Sequence, residues 1–133
     1  MTFKLDNLIY KGETKEVFKE DGKAIKLFNE THPKAFVLNE ALNHARVEQY
    51  SGLSVPTLKE VAVVNNRWAL VYNYLEGKTL AELMAENPEK EDEYLNKFVD
   101  IQLEVLSKNV PLLNRTKDKF RRKLSELTEI ADD

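Results

Sequence analysis

Up to about Tyr74 the apolar positions mostly alternate with polar ones, every second residue. After Gly77 they recur three and four apart, so strands are expected first and helices afterwards. Leu8-Ile9-Tyr10, Glu16 to Glu20 and Ala24 to Phe28 are short segments rich in strand formers, and Asp21-Gly22 between the last two is a strong tight-hairpin signal. Thr31-His32-Pro33 reads as a helix start, with the proline in the first turn where its missing N–H costs little. Val37 or Leu38, Ala41 or Leu42, and Ala45 then repeat at helical spacing until Ser51-Gly52 stops the helix. Val55-Pro56 restarts an extended chain, and Thr57 to Val64 and Arg67 to Tyr74 flank Asn65-Asn66 as a second hairpin. The expected fold class is α+β: a five-stranded antiparallel sheet with one helix inserted after the third strand, followed by C-terminal helices.

In the second part, Thr79 with Glu82 three residues on has the pattern of a capping box that opens a short helix. Pro88 opens a longer one, in which Tyr94, Leu95, Phe98, Ile101, Gln102, Val105 and Leu106 form one broad stripe before the Pro111 region ends it. A last helix carries Phe120, Leu124, Leu127 and Ile130. No repeat or low-complexity tract interrupts the chain, so the expected boundary lies at Leu75 to Lys78. It separates residues 1–76 from a helical segment, 77–133.

Composition narrows the function. The 133 residues carry a net charge of −3 and a pI near 5.5, which argues against a nucleic-acid partner because phosphate neutralisation needs a basic excess. No cysteine is present, so neither disulfides nor thiolate metal sites can form. No apolar run is long enough to span a membrane, and Met1 to Tyr10 lacks the apolar centre of a secretory signal, so a cytoplasmic location is expected.

Chemistry concentrates on three positions. Lys26 stands midway between Gly12, the lone early glycine, and Glu40 on the first helix. In a period-two strand Lys26 faces away from Ile25 and Leu27, which puts a charge on one sheet face. The plain alternatives are a β-turn glycine, a solvent-facing lysine and a surface carboxylate. His32 and His44 are the only histidines; Glu40 and His44 share a helical face, but two ligands are one short of a catalytic zinc site. The carboxylates from Glu86 to Glu93 suit a solvated helix start, and Arg115 to Lys123 form a basic face.

The order strand, glycine turn, strand, hairpin, lysine strand, helix, two strands, then Tyr74-Leu75-Glu76-Gly77-Lys78-Thr79-Leu80 resembles the N-terminal lobe and hinge of the protein-kinase-like fold. The short hairpin before Lys26 and the run Gly52-Leu53-Ser54-Val55-Pro56 make it more similar to the aminoglycoside phosphotransferase and choline kinase branch. The resemblance covers roughly residues 5 to 85. It implies that Gly12 is the middle glycine of a phosphate loop whose outer glycines are replaced by Tyr10 and Lys15. It further implies phosphate contacts from the N–H groups of Glu13, Thr14 and Lys15 and from the Thr14 hydroxyl, and that Lys26, held by Glu40, meets the α/β-phosphates. Val17, Ile25, and Val55 or Ala24 become the apolar walls around the base, Tyr72 the gatekeeper, and Asn73 and Leu75 the hinge carbonyl and N–H. The implied cofactor is ATP or GTP with Mg²⁺, and the implied acceptor is a small-molecule hydroxyl.

One departure bears on activity. After Glu76 there is no His-Gly-Asp or His-Arg-Asp loop with a downstream Asn, and no later Asp placed to hold Mg²⁺. No catalytic or metal-binding residue is therefore assigned, and the expectation is a lobe that stops short of its catalytic loop, inactive by itself, from a parent phosphotransferase. The alternatives are a stand-alone protein-interaction module or a pseudokinase-like regulatory lobe. In each case the apolar stripes of the C-terminal helices lead us to expect self-association.

Overall fold

The computed structural model of the chain describes residues 2–113 and 116–132; Arg115 and the side chain of Ile130, named above, lie outside the described residues. Five strands, β1 (Leu8–Lys11), β2 (Lys15–Glu20), β3 (Lys23–Phe28), β4 (Leu58–Val64) and β5 (Arg67–Asn73), form one antiparallel sheet. Their order is β1-β2-β3-β5-β4, and α1 (Lys34–Tyr50) lies between β3 and β4 in the chain. The helical part comprises α2 (Leu80–Glu86), a 3₁₀ turn (Pro88–Lys90), α3 (Glu91–Leu106) and α4 (Thr116–Asp132).

Both hairpins turn where expected, for a backbone reason. Asp21 and Gly22 have φ of 47° and 72°, and Asn65 and Asn66 have 51° and 60°. Two consecutive left-handed residues match the right-handed twist of the flanking strands, and Gly, Asn and Asp tolerate that region best. The Thr79 hydroxyl accepts the Glu82 N–H at 3.1 Å and the Glu82 carboxylate accepts the Thr79 N–H at 3.1 Å, so the capping box opens α2. Pro33 stands just before α1 rather than within its first turn, and its carbonyl accepts the Phe36 N–H at 3.0 Å. Pro88 starts the 3₁₀ turn, and α3 begins only after it.

Each sheet face has its own core. On one, Phe28 and Leu70 pack with Val37 and Ala41 of α1, flanked by Leu58, Trp68 and Tyr72. Val37 and Ala41 are thus the residues of α1 that bury, while Leu38 and Leu42 stay exposed. On the other face Phe18, Ile25, Leu27, Ala69 and Val71 are covered by Phe3 and Leu5 of the N-terminal segment. That strap is tied down by its Lys4 N–H, which donates to both Glu20 carboxylate oxygens at 2.9 and 3.2 Å. Among the described residues no helix is long and apolar enough to cross a membrane.

Candidate functional site

Strand register decides which side chains meet. Val17 pairs with Lys26, Lys26 with Leu70, and Ala24 with both Lys19 and Tyr72. Directly paired residues share a face, so Val17, Lys19, Ala24, Lys26 and Tyr72 lie on the side that carries α1. Ile25 does not belong with them: it is fully buried in the opposite core with Phe18 and Leu27, which corrects its expected part in the apolar walls. The pleat forces this outcome, since neighbours in a strand point to opposite faces.

On the α1 side the Lys26 ammonium donates to the Glu40 carboxylate. Burial of Val37 and Ala41 sets the rotation of α1, and Glu40, three residues after Val37, is thereby turned to the sheet. Further along, His44 Nε2 lies 2.6 Å from the Pro56 carbonyl oxygen and 3.1 Å from Glu48 Oε1. Both partners accept, so this nitrogen carries the hydrogen and donates. Glu48 also accepts the Leu58 N–H. The shared face of Glu40 and His44 is thus used to fasten α1 to the sheet and to the segment leading into β4. The His44 ring stands edge-on to Tyr72, centroids 4.8 Å apart. Burial first, then the nearby Glu40 and Glu48 charges, push the Tyr72 hydroxyl up to about 12.

The glycine turn lies beyond the Lys15–Phe28 pair, at the far end of the strand that carries Lys26. Asn29, which the sequence pattern did not single out, holds it: the Asn29 N–H donates to the Thr14 carbonyl at 2.9 Å and its side chain to the Glu13 carbonyl at 2.7 Å. The Gly12 N–H closes the turn onto the Lys15 carbonyl at 2.9 Å. Among the described residues the N–H groups of Glu13 and Thr14 have no acceptor. A Cβ at Gly12 would sit 2.8 Å from the Tyr10 hydroxyl oxygen, the far end of an exposed side chain that can turn aside.

At the other end, the Asn73 N–H donates to the Thr57 carbonyl at 3.0 Å and the Tyr74 N–H to the Gly22 carbonyl at 2.8 Å. The next N–H, that of Leu75, has no partner among the described residues. Lys19 reaches across from β2 to Glu76, at 2.6 Å, with its ammonium 4.2 Å from the Tyr74 ring centroid. This hydrogen-bonded contact raises the Lys19 pKa. Lys19 and Glu76 were not legible as a pair from sequence spacing. From Ala24 to Phe28 the strand runs about 13 Å at about 3.3 Å per residue, and Lys26 stands at its midpoint.

The α1 face thus carries small and apolar side chains and a fixed ammonium, with the exit segment at one end of β3 and the glycine turn at the other; among the described residues the Leu75, Glu13 and Thr14 N–H groups of those two segments have no acceptor. This set can take a ligand that is flat and apolar at one end and anionic at the other. Among the described residues no three His, Asp or Glu side chains converge to hold a metal ion. The chain matches no protein-family model, and comparison with curated proteins finds no relative.

Proposed function

We propose that residues 1–76 are a nucleotide-binding lobe of an ATP- or GTP-dependent phosphotransferase acting on a small-molecule hydroxyl. In this reading it is kin to the aminoglycoside phosphotransferase and choline kinase branch, and residues 77–133 begin its helical partner. The observation that carries the reading is the ion pair of Lys26 with Glu40, on the face shared by Val17, Ala24 and Tyr72. A carboxylate from a helix holds the ammonium at one point, and positioning of that kind is what phosphate recognition needs.

The roles follow from place. Val17 and Ala24, from one side of the sheet, cover one face of the base, with Tyr72 behind it, and the Asn73 carbonyl and Leu75 N–H take its edge. Lys26 meets the inner phosphates, and the N–H groups of Glu13 and Thr14, with the Thr14 hydroxyl, take the outer ones. The Glu13 and Thr14 N–H groups of the Gly12 turn, which have no acceptor among the described residues, support this fit. For Mg²⁺, which takes oxygen ligands, no residue is assigned: after Glu76 the sequence has no His-Gly-Asp or His-Arg-Asp loop with a downstream Asn and no later Asp so placed. No transfer step is therefore assigned to this chain, whose expected behaviour is nucleotide binding without turnover. A cytoplasmic setting goes with that reading, since nucleoside triphosphates are abundant there.

Calorimetric titration with Mg·ATP and Mg·GTP tests the proposal. Weak saturable binding that is lost in Lys26→Ala and kept in Lys59→Ala, an exposed strand position, is the expected result. No binding by a folded chain, or equal binding by Lys26→Ala, would overturn it and favour the interaction module, for which the exposed stripe of α3 speaks.

A further inference from the structure

A groove of about 780 Å³ opens between α1 and α4, a volume within the range of small-molecule sites. Glu40 lines it, but no other residue given a part in the nucleotide site does. Its two walls differ in chemistry. On the α1 wall the His32 ring stacks on Phe28, centroids 4.8 Å apart, and stands edge-on to Phe36 at 6.0 Å. Phe36 lines the groove with its ring 59% exposed. Two turns further on, Asn43 lines the same wall, and neither end of its amide has a hydrogen-bond partner among the described residues, although the oxygen is buried. Buried amides are seldom left so, and a turn about the broad terminal torsion of Asn43 presents either end to the groove.

The α4 wall is cationic. Lys119, Arg122, Lys123 and Glu126 share it because they are spaced three and four apart. The charges can be matched group by group. Glu40 is paired with Lys26, and Glu126 lies 4.0 Å from Arg122. Lys119 and Lys123 have no carboxylate partner among the described residues, and four residues apart on one helix they repel each other. Two positive charges in the groove are thus left unbalanced.

That count selects the ligand. A carboxylate brings one negative charge, whereas a phosphate monoester brings about 1.5–2 at pH 7, with three strong acceptor oxygens. The α1 wall selects what carries the phosphate, since a flat ring against Phe36 gains an aromatic contact that an aliphatic chain lacks. We infer that the groove between α1 and α4 binds an aromatic phosphate monoester, its phosphate held by Lys119 and Lys123, its ring against Phe36, and the Asn43 amide hydrogen-bonded to it.

Calorimetric titration of the full chain with phenyl phosphate, inorganic phosphate and phenol tests this. Phenyl phosphate should bind several-fold more tightly than inorganic phosphate, and phenol should not bind. The Lys119→Ala, Lys123→Ala variant should bind phenyl phosphate at least about tenfold more weakly. Lys117→Ala, Arg121→Ala removes two α4 charges that do not line the groove and should bind as the wild type does. Phe36→Leu should abolish the preference for phenyl phosphate while leaving inorganic phosphate unchanged. All these positions are exposed, and an unchanged circular dichroism spectrum checks that each variant folds. No binding of phenyl phosphate, undiminished binding by the Lys119→Ala, Lys123→Ala variant, equal losses in the two double variants, or inorganic phosphate bound as tightly as phenyl phosphate would overturn the inference. It stands apart from the nucleotide site: a chain that takes phenyl phosphate in this groove but no Mg·ATP would refute the proposed function alone.

Discussion

Replacing Glu40 by Gln removes one charge at nearly constant volume and leaves the Lys26 ammonium under α1. The Lys26 side chain is 21% exposed and that of Glu40 36%, so the pair lies between the two regimes for which magnitudes are known. Exposed pairs contribute about 0–1 kcal/mol, and breaking a fully buried one costs about 3–5 kcal/mol. At an effective dielectric near 20 the gross attraction at 4 Å is about 4 kcal/mol, and most of it is offset by desolvation of both groups. A net loss of about 1–2 kcal/mol is expected, since the ammonium keeps its desolvation cost and loses its counter-charge. Urea unfolding of wild type, Glu40→Gln, Lys26→Met and the double variant measures this as a cycle, with coupling of about 1 kcal/mol predicted. Losses that add to within about 0.3 kcal/mol would mean that these charges do not meet, and the site would lose its central feature.

Other consequences can be checked in the same way. Gly22→Ala places a Cβ at a φ of 72° and should cost about 1 kcal/mol in chemical denaturation. Gly12→Ala should leave stability within about 0.5 kcal/mol, because the Tyr10 hydroxyl it would crowd is the far end of an exposed side chain, yet it should weaken nucleotide binding. Because the Tyr72 pKa is raised from 10.0 to about 12, the unfolded chain gives up this proton first as pH rises. The stabilisation is whole below pH 10 and lost between about 10 and 12, by on the order of 1–2 kcal/mol in all, since solvent screens a half-buried hydroxyl. Tyr72→Phe should remove that part of the alkaline slope, and an identical slope in both proteins would refute the assignment.

Local signals made much of the fold legible. Asp21-Gly22 and Asn65-Asn66 each specify a turn by backbone conformation, and Thr79 with Glu82 specifies a helix start by two reciprocal hydrogen bonds, so neighbours in sequence suffice to read them. Long-range pairings escaped. Nothing in spacing says that Phe3 and Leu5 cover the outer face of the sheet, or that Asn29 clamps the glycine turn. The choice between Val37 with Ala41 and Leu38 with Leu42 was likewise open, because both pairs repeat at helical spacing and only contact with Phe28 and Leu70 separates them. Within the site, the alternation that directed Lys26 to the α1 side also directs Ile25 away from it. Naming Ile25 among the walls therefore conflicted with the period-two reading of its own strand.

The position of the Lys26 ammonium against bound phosphate can be probed chemically with an acyl phosphate of ATP, which transfers its acyl group to the lysine nearest the phosphate chain. Peptide mass spectrometry after brief treatment should find the label on Lys26, suppressed by excess ATP and absent when Glu40 is replaced by Gln. Label scattered over the exposed lysines, with ATP giving no protection, would contradict a nucleotide site on this face of the sheet.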